Sequence, residues 1–187
     1  MKRLISLLVL LIFSTSVALA QQDSENPQVT IHTNHGDIRL ELYPQEAPIS
    51  VENFLQYANE GFYDGTIFHR IISHFMIQGG GMTPDMIEKP TRDPIKNEAD
   101  NGLKNLRGAV AMARTNVVDS ATSQFYINVE VNGPLNHTST ESSRTWGYAV
   151  FGRVVDGMDV VDEVRFVETG RGDVPVEVVL IESVEVH

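Results

Sequence analysis

Cysteine is absent from the 187-residue sequence, so neither a disulfide framework nor a lipoprotein anchor is available to the chain. Basic residues are also scarce, because 14 Lys and Arg stand against 25 Asp and Glu and leave a formal net charge of −11. Nucleic acids and anionic membrane surfaces attract basic protein surface, so the acidic composition argues against either as a partner. The sequence contains no internal repeat and no low-complexity tract.

The apolar run near the N-terminus is too short to span a membrane. It extends over Leu4–Phe13, after the basic pair Lys2-Arg3, whereas a spanning helix needs about 20 apolar residues. Ala18-Leu19-Ala20 then supplies small residues at the two positions that a signal peptidase reads. We therefore expect export, with no membrane anchor after cleavage. The predicted division is a cleaved signal peptide at residues 1–20, a flexible leader at 21–27 and a single domain at 28–187.

Short apolar stretches separated by turn residues make up most of the remaining chain. Apolar and polar residues alternate in a pattern that predicts a β-hairpin from Val29 to Leu42. Helical spacing predicts a helix from about Pro48 to Glu60 and a short one after Gly157. The other predicted strands are Thr66–Ile72, Phe75–Gly79, Arg107–Ala113, Ser123–Val129, Tyr148–Val154 and Val174–Val186, with long loops at 80–105 and 131–146. Many short strands with two helices indicate a closed antiparallel barrel or a sandwich, and periodicity alone leaves both open.

The stretch Phe68–Gly81 places Arg70 and Gln78 among aromatic, aliphatic and methionine side chains. A permanently charged arginine is seldom surrounded by apolar residues unless it has a partner. Two strands joined by a bend would set both polar side chains at the rim of one apolar surface. From residue types alone, Arg70 fits a binding site and a structural ion pair equally well, and Phe75 and Met76 are more typical of core.

Six motifs occur in a fixed order along the chain: Phe62–Ile72, Phe75–Gly80, Asn97–Ala99, Met112–Arg114, Ser123–Ile127 and Tyr148–Gly152. Several long motifs in one order are far more specific than a single short pattern. With them the chain resembles the cyclophilins, the cyclosporin-binding class of peptidyl-prolyl cis-trans isomerases, and in particular their exported bacterial branch. The resemblance covers Val29 to Val186. It implies a mainly β fold, a closed eight-stranded antiparallel barrel capped by two α-helices.

The resemblance also implies a role for each residue of the site. Arg70 would be the catalytic residue, Gln78 would orient the substrate backbone and Gln124 would shape the groove. The proline pocket would be formed by Phe75, Met76, Tyr126 and Leu135, with Tyr148 in the place of a histidine common in eukaryotic members. Ala113, Arg114 and Thr115 would pair with an extended peptide through backbone groups, a β-like mode of recognition.

The chemistry is within reach of these residue types. An X-Pro amide isomerises slowly because resonance sets a barrier of about 18–20 kcal/mol. Lowering this barrier requires no nucleophile, metal or cofactor, and we expect none. It requires a pocket for proline and a donor to the prolyl nitrogen, which regains a lone pair when the amide twists. Arg70 is a suitable donor because guanidinium stays protonated at physiological pH.

Some residues depart from the family pattern. Pro134 precedes the pocket residue Leu135, where many members carry a tryptophan that favours cyclosporin binding, so we predict weak cyclosporin binding. Trp146 is nearby in sequence, but the sequence does not indicate that it substitutes. Tyr126 stands where a phenylalanine is common, and with Tyr148 it would make the pocket wall more polar.

The expected partners are unfolded or flexible proline-containing polypeptides, which a monomer would meet in the periplasm, with full secretion as the alternative. A module or chaperone that grips proline segments without turnover is a second hypothesis. A hydrolase is less consistent with the sequence, because Ser73-His74 lacks a nucleophile-elbow motif. His69 and His74 do not have metal-site spacing, so we expect satisfied or exposed histidines. The sequon Asn136-His137-Thr138 carries little weight.

Overall fold

The computed structural model describes residues 26–187, so the predicted signal peptide and most of the predicted leader lie outside the described residues. Eight antiparallel strands close into a barrel in the order β1-β2-β7-β5-β6-β4-β3-β8. The strands are β1 Gln28–Thr33, β2 Gly36–Leu42, β3 Thr66–Ile72, β4 Met76–Met82, β5 Ala109–Met112, β6 Phe125–Asn128, β7 Val150–Asp156 and β8 Leu180–Val186. The predicted closed barrel is therefore confirmed, and the sandwich alternative is wrong.

The alternation of apolar and polar residues in β1 and β2 explains why one face of each strand is buried in the barrel. Val29 and Ile31 in β1, and Ile38, Leu40 and Leu42 in β2, have no exposed surface. The polar residues between those of β2 project from the opposite face, as the two-residue period of a strand requires. The first and last strands then pair with each other, which joins the N-terminal and C-terminal parts of the domain and closes the barrel.

Three α-helices occur among residues 26–187: α1 Pro48–Asn59, α2 Ser143–Trp146 and α3 Met158–Val164. The two predicted helices correspond to α1 and α3, which pack against the barrel at β7 and β8 and at β2, respectively. Gly157 is the N-cap of α3, with φ 84°, and a Cβ at this position would approach Asp37 O to 2.2 Å. Glycine is required there both by the backbone conformation and by the close packing against β2.

The remaining helix, α2, was not predicted, because four residues are too few to show a helical period. It is held locally by a capping box between Ser142 and Thr145, within the predicted polar loop at 131–146. The last strand was predicted to begin at Val174 but begins at Leu180, and β4 runs from Met76 to Met82 instead of ending at Gly79. Glycine has low strand propensity, which hid the end of β4.

The apolar side chains form two clusters. The larger one fills the barrel and includes Phe54 from α1, Phe68, Phe125 and Phe151. The smaller one contains Met76, Ala109, Ala111, Tyr126 and Val150, with Phe75, Ala113, Leu135 and Tyr148 partly buried against it. The smaller cluster is the part of the fold that positions the candidate site. None of the helices within residues 26–187 has the length and hydrophobicity to cross a bilayer.

Candidate active site

Strand pairing brings the two polar residues of the Phe68–Gly81 stretch side by side. Arg70 on β3 is the register partner of Gln78 on β4, and Gln78 in turn is the register partner of Tyr126 on β6. The pairing passes through register shifts in β3 on either side of Phe68, and such shifts re-aim the side chains near them. The side chain of Arg70 is about two-fifths exposed at the rim, while Tyr126 is buried.

These residues enclose a cavity of about 120 Å³. It is lined by Arg70, Phe75, Met76, Gln78, Ala113, Arg114, Tyr126, Leu135 and Tyr148, all of which were predicted site residues. The rings of Tyr126 and Tyr148 meet edge to face with centroids 5.9 Å apart. Protein cavities of roughly 150 Å³ admit a benzene ring, so this one has room for a small ring and little else.

Arg70 carries a positive charge at the rim of the cavity, and Arg114 is the second arginine that lines it. The Nε of Arg70 lies 3.4 Å from Asp173 Oδ2, and within residues 26–187 this contact uses Nε alone, so both terminal nitrogens remain available to a ligand. The neighbouring residue, His69, is buried, and burial lowers the pKa of its imidazole. His69 is therefore neutral at pH 7 and adds no second positive charge beside Arg70.

Gln78 is oriented by a chain of side-chain contacts. Its Nε2 donates to Gln124 Oε1 at 2.9 Å, and Gln124 Nε2 lies 3.4 Å from Glu88 Oε1. A second cavity of about 240 Å³ adjoins the first and shares three of its residues. It is lined by Gln78, Glu88, Ala113, Arg114, Thr115, Ser120, Thr122 and Gln124. The two cavities are therefore continuous along Gln78, Ala113 and Arg114, and together they form one groove.

The side chain of Arg114 holds one wall of this groove. Its guanidinium donates to Gly147 O, Thr115 O, Ser143 O and Ser143 Oγ at distances between 2.6 and 3.0 Å. The same group lies 4.4 Å above the ring of Tyr148. Arg114 therefore ties α2 to the groove, an anchoring function that was not predicted beside the expected backbone pairing.

The structure places the predicted residues in two groups. Nine line the first cavity, whereas Thr115 and Gln124 line only the second. Trp146 lines neither cavity and packs against His137, so it does not take the place of the missing tryptophan. The expectation for His69 was wrong: it is buried, and its Nδ1 has no hydrogen-bond partner among the described residues.

Several residues of the site were missed in the sequence. Asp173, Glu88, Ser120 and Thr122 come from loops far from Arg70 in the chain, and a single polar loop residue carries no periodic signal. A larger open groove of about 480 Å³ runs along α1, between Pro27 and the helix. We assign the site to the smaller cavity, because it combines apolar walls with convergent polar groups, as small-ligand sites do.

The fold and this groove define a class of protein in which a lateral apolar pocket on a closed barrel has a cationic rim. Residues 28–186 match the family model described as cyclophilin type peptidyl-prolyl cis-trans isomerase/CLD. The chain is 60% identical over 162 residues to peptidyl-prolyl cis-trans isomerase B of Escherichia coli, covering 84% of this chain and 98% of that protein. It is 47% identical over 189 residues to peptidyl-prolyl cis-trans isomerase A of Dickeya dadantii, covering 99% and 97%, respectively.

A solved structure supports the same assignment. The crystal structure of a Cryptosporidium parvum cyclophilin type isomerase in the presence of the dipeptide Ala-Pro superposes with a TM-score of 0.75 at 28% identity, covering 86% of this chain and 98% of that one. The chain thus belongs to the cyclophilin-type peptidyl-prolyl cis-trans isomerases. The predicted family and the predicted enzyme class are confirmed.

Proposed function

We propose that this isomerase accelerates X-Pro isomerisation during the folding of exported proteins, with Arg70 as the donor that stabilises the twisted amide. The observation that carries the mechanism is the placement of Arg70 on the rim of the same cavity that Phe75, Met76, Tyr126 and Leu135 line. A proline ring in this cavity would present its nitrogen near the rim. Gln78 would hold the backbone next to it.

The energies required are modest. A turnover of about 10 per second, against an uncatalysed rate of about 0.01 per second, needs a barrier reduction of about 4 kcal/mol. One hydrogen bond to a charged group contributes roughly 1.5–3 kcal/mol. Preferential binding of the twisted conformer in a water-poor pocket would supply the rest. The free terminal nitrogens of Arg70 support this assignment, because they need not break an ion pair before reaching the substrate.

The partners we propose are proline-containing segments of unfolded or flexible polypeptides, bound in extended form. The groove supports this choice, since the second cavity continues from the first past Ala113 and Thr115. The predicted signal peptide at residues 1–20 supports export, and the periplasm is the compartment that we propose. The chain would act as a monomer.

The test has two arms. In the first arm, the full chain is expressed and the cells are fractionated. We expect the cleaved product in the periplasm, with Gln21 as its first residue by mass spectrometry. In refolding, the purified domain is expected to accelerate the proline-limited phase of an exported protein, and Arg70→Ala is expected to be at least about tenfold less effective. An uncleaved chain that stays in the cytoplasm would contradict the export role. Equal acceleration by wild type and Arg70→Ala would contradict the role of Arg70.

A further inference from the structure

Three buried asparagines lie behind the walls of the first cavity. Asn105, in the loop before β5, is 1% exposed; Asn128, at the end of β6, is 0% exposed; and Asn132, in the loop that follows, is 7% exposed. They are linked to one another: Asn128 Nδ2 donates to Asn105 Oδ1 at 3.2 Å, and Asn132 Nδ2 donates to Asn128 Oδ1 at 2.6 Å. We call these three residues the asparagine network.

The network contacts the pocket wall first through Tyr126. The phenol of Tyr126 donates to Asn105 Oδ1 at 2.8 Å in a buried position. Burial raises the pKa of this phenol well above its usual value, so it remains a protonated donor at pH 7. Asn105 Oδ1 accepts from both Tyr126 and Asn128, so the Asn105 amide is itself held in place by Asn128. The Asn105 amide therefore fixes the direction of the Tyr126 ring.

The network contacts two other walls through their backbone carbonyls. Asn105 Nδ2 donates to Leu135 O at 3.2 Å, and Asn132 Nδ2 donates to Phe75 O at 2.8 Å. Phe75, Tyr126 and Leu135 come from three separate segments of the chain and all line the first cavity. One connected set of amides therefore reaches three of the apolar walls that would hold a proline ring.

A network of this kind has physical consequences for the pocket. Hydrogen bonds in a low-dielectric interior strengthen one another and rigidify the groups they join when every member is satisfied. An asparagine suits the centre of such a network because one side chain both accepts and donates. Alanine at position 105 would leave the buried Tyr126 hydroxyl without its acceptor, which is costly. It would also remove one of two donors to the Leu135 carbonyl, which would keep only Tyr148 N at 3.0 Å.

We propose that Asn105 is a positioning residue for the isomerisation, acting through the Tyr126 hydroxyl and the Leu135 carbonyl to keep the walls of the proline pocket at their spacing. Asn132 acts in the same way on Phe75. This inference rests on the proposed assignment of the first cavity as the proline pocket. It adds to that assignment residues that lie behind the walls and touch no substrate.

The prediction concerns KM and kcat separately. The walls contact proline in the ground state and in the transition state alike, so a loosened pocket loses uniform binding and raises KM. Asn105→Ala is expected to raise the KM for a proline peptide about tenfold with kcat little changed. A variant that is merely less folded shows the opposite pattern, because a smaller active fraction lowers the apparent kcat and leaves KM unchanged.

The experiment measures kcat, KM and thermal stability for wild type, Asn105→Ala, Asn132→Ala and the double variant Asn105→Ala/Tyr126→Phe. Tyr63→Phe is a matched control, because Tyr63 is also fully buried and donates to a carbonyl, Ser123 O, at 3.0 Å, but lies in the barrel interior. Asn34→Ala is a second control, because the Asn34 amide both donates to Val178 O and accepts from Leu180 N.

The double variant is the sharpest part of the test. Removing the Tyr126 hydroxyl removes the buried donor that Asn105→Ala leaves unpaired, so part of the lost affinity should return. KM changes that simply multiply in the double variant would overturn the proposal, as would an Asn105→Ala KM within about twofold of both controls. If Asn105→Ala does not fold, the KM of Asn132→Ala tests the proposal instead, because Asn132 acts on the pocket through Phe75; a KM within about twofold of both controls would then overturn it. A wild type without turnover would instead refute the proposed function, leaving the two failures distinguishable.

Discussion

The contact between Arg70 and Asp173 leads to a prediction that separates the orientation of the proposed catalytic arginine from its charge. Asp173→Asn keeps a residue that tolerates the positive φ of 62° found at this position, and it keeps the backbone carbonyl that accepts from Ile71 N at 2.8 Å. The substitution removes only the negative charge near the guanidinium. We expect Arg70 to become less well oriented and kcat/KM to fall.

The size of the effect follows from the geometry. The two side chains are 41% and 45% exposed and meet at 3.4 Å, so the pair resembles a surface ion pair. Such pairs contribute roughly 0.2–1 kcal/mol, which corresponds to a loss of between about 1.4-fold and fivefold in kcat/KM. Salt at about 1 M shortens the screening length to about 3 Å, so the difference between wild type and variant should shrink.

The assay is the isomerisation of a proline peptide at low and high salt. Asp162→Asn is a suitable control, because Asp162 pairs with two arginines, Arg107 and Arg165, and lines neither cavity. The control is expected to have the wild-type kcat/KM under both conditions. An unchanged or increased kcat/KM for Asp173→Asn at low salt would refute the reasoning, since it would show that the carboxylate does not help to orient Arg70.

Four further predictions concern stability and ligand binding. The lowered pKa of His69 means that the unfolded chain binds a proton at this histidine more readily than the folded chain does, so the free energy of unfolding falls as pH drops below about 6.5. In His69→Gln this decrease should be smaller. The hydrogen bond to Asp37 raises the pKa of His32, so protonated His32 stabilises the fold at low pH, and this stabilisation is lost as pH rises through the raised pKa. His32→Gln should therefore lower the free energy of unfolding at low pH and change it little at high pH. Gly157→Ala should lower the Tm markedly, because it combines positive φ with a clash against β2; an unchanged Tm would contradict the packing described. Cyclosporin should bind weakly, because exposed Pro134 lines neither cavity, and nanomolar inhibition in a titration would contradict this.

Much of the fold could be predicted because its signals are local. The alternation in β1 and β2 and the apolar spacing of α1 each lie within a dozen residues. Barrel closure could not be derived in this way, because it depends on β1 and β8 pairing from opposite ends of the domain. Only the family resemblance distinguished the barrel from a sandwich.

The same distinction between local and long-range signals applies to the candidate site. Residues within long motifs, such as Arg70 and Tyr126, were predicted and lie together at the first cavity. Asp173 and Asn105 were not predicted, because each is a single polar residue in a loop and its contact is with a residue more than twenty positions away. Their contacts are products of the fold and have no pattern in the sequence.

The central claim is that Arg70 stabilises the twisted amide, and the most direct test is the kcat/KM of Arg70→Ala for a proline peptide. Loss of a charged hydrogen bond of roughly 1.5–3 kcal/mol predicts a decrease of between about 10-fold and 150-fold. The decrease should lie in kcat, since the interaction is made in the transition state, and Tyr63→Phe should retain the wild-type value. A loss smaller than about tenfold in Arg70→Ala, with the protein folded, would contradict the account.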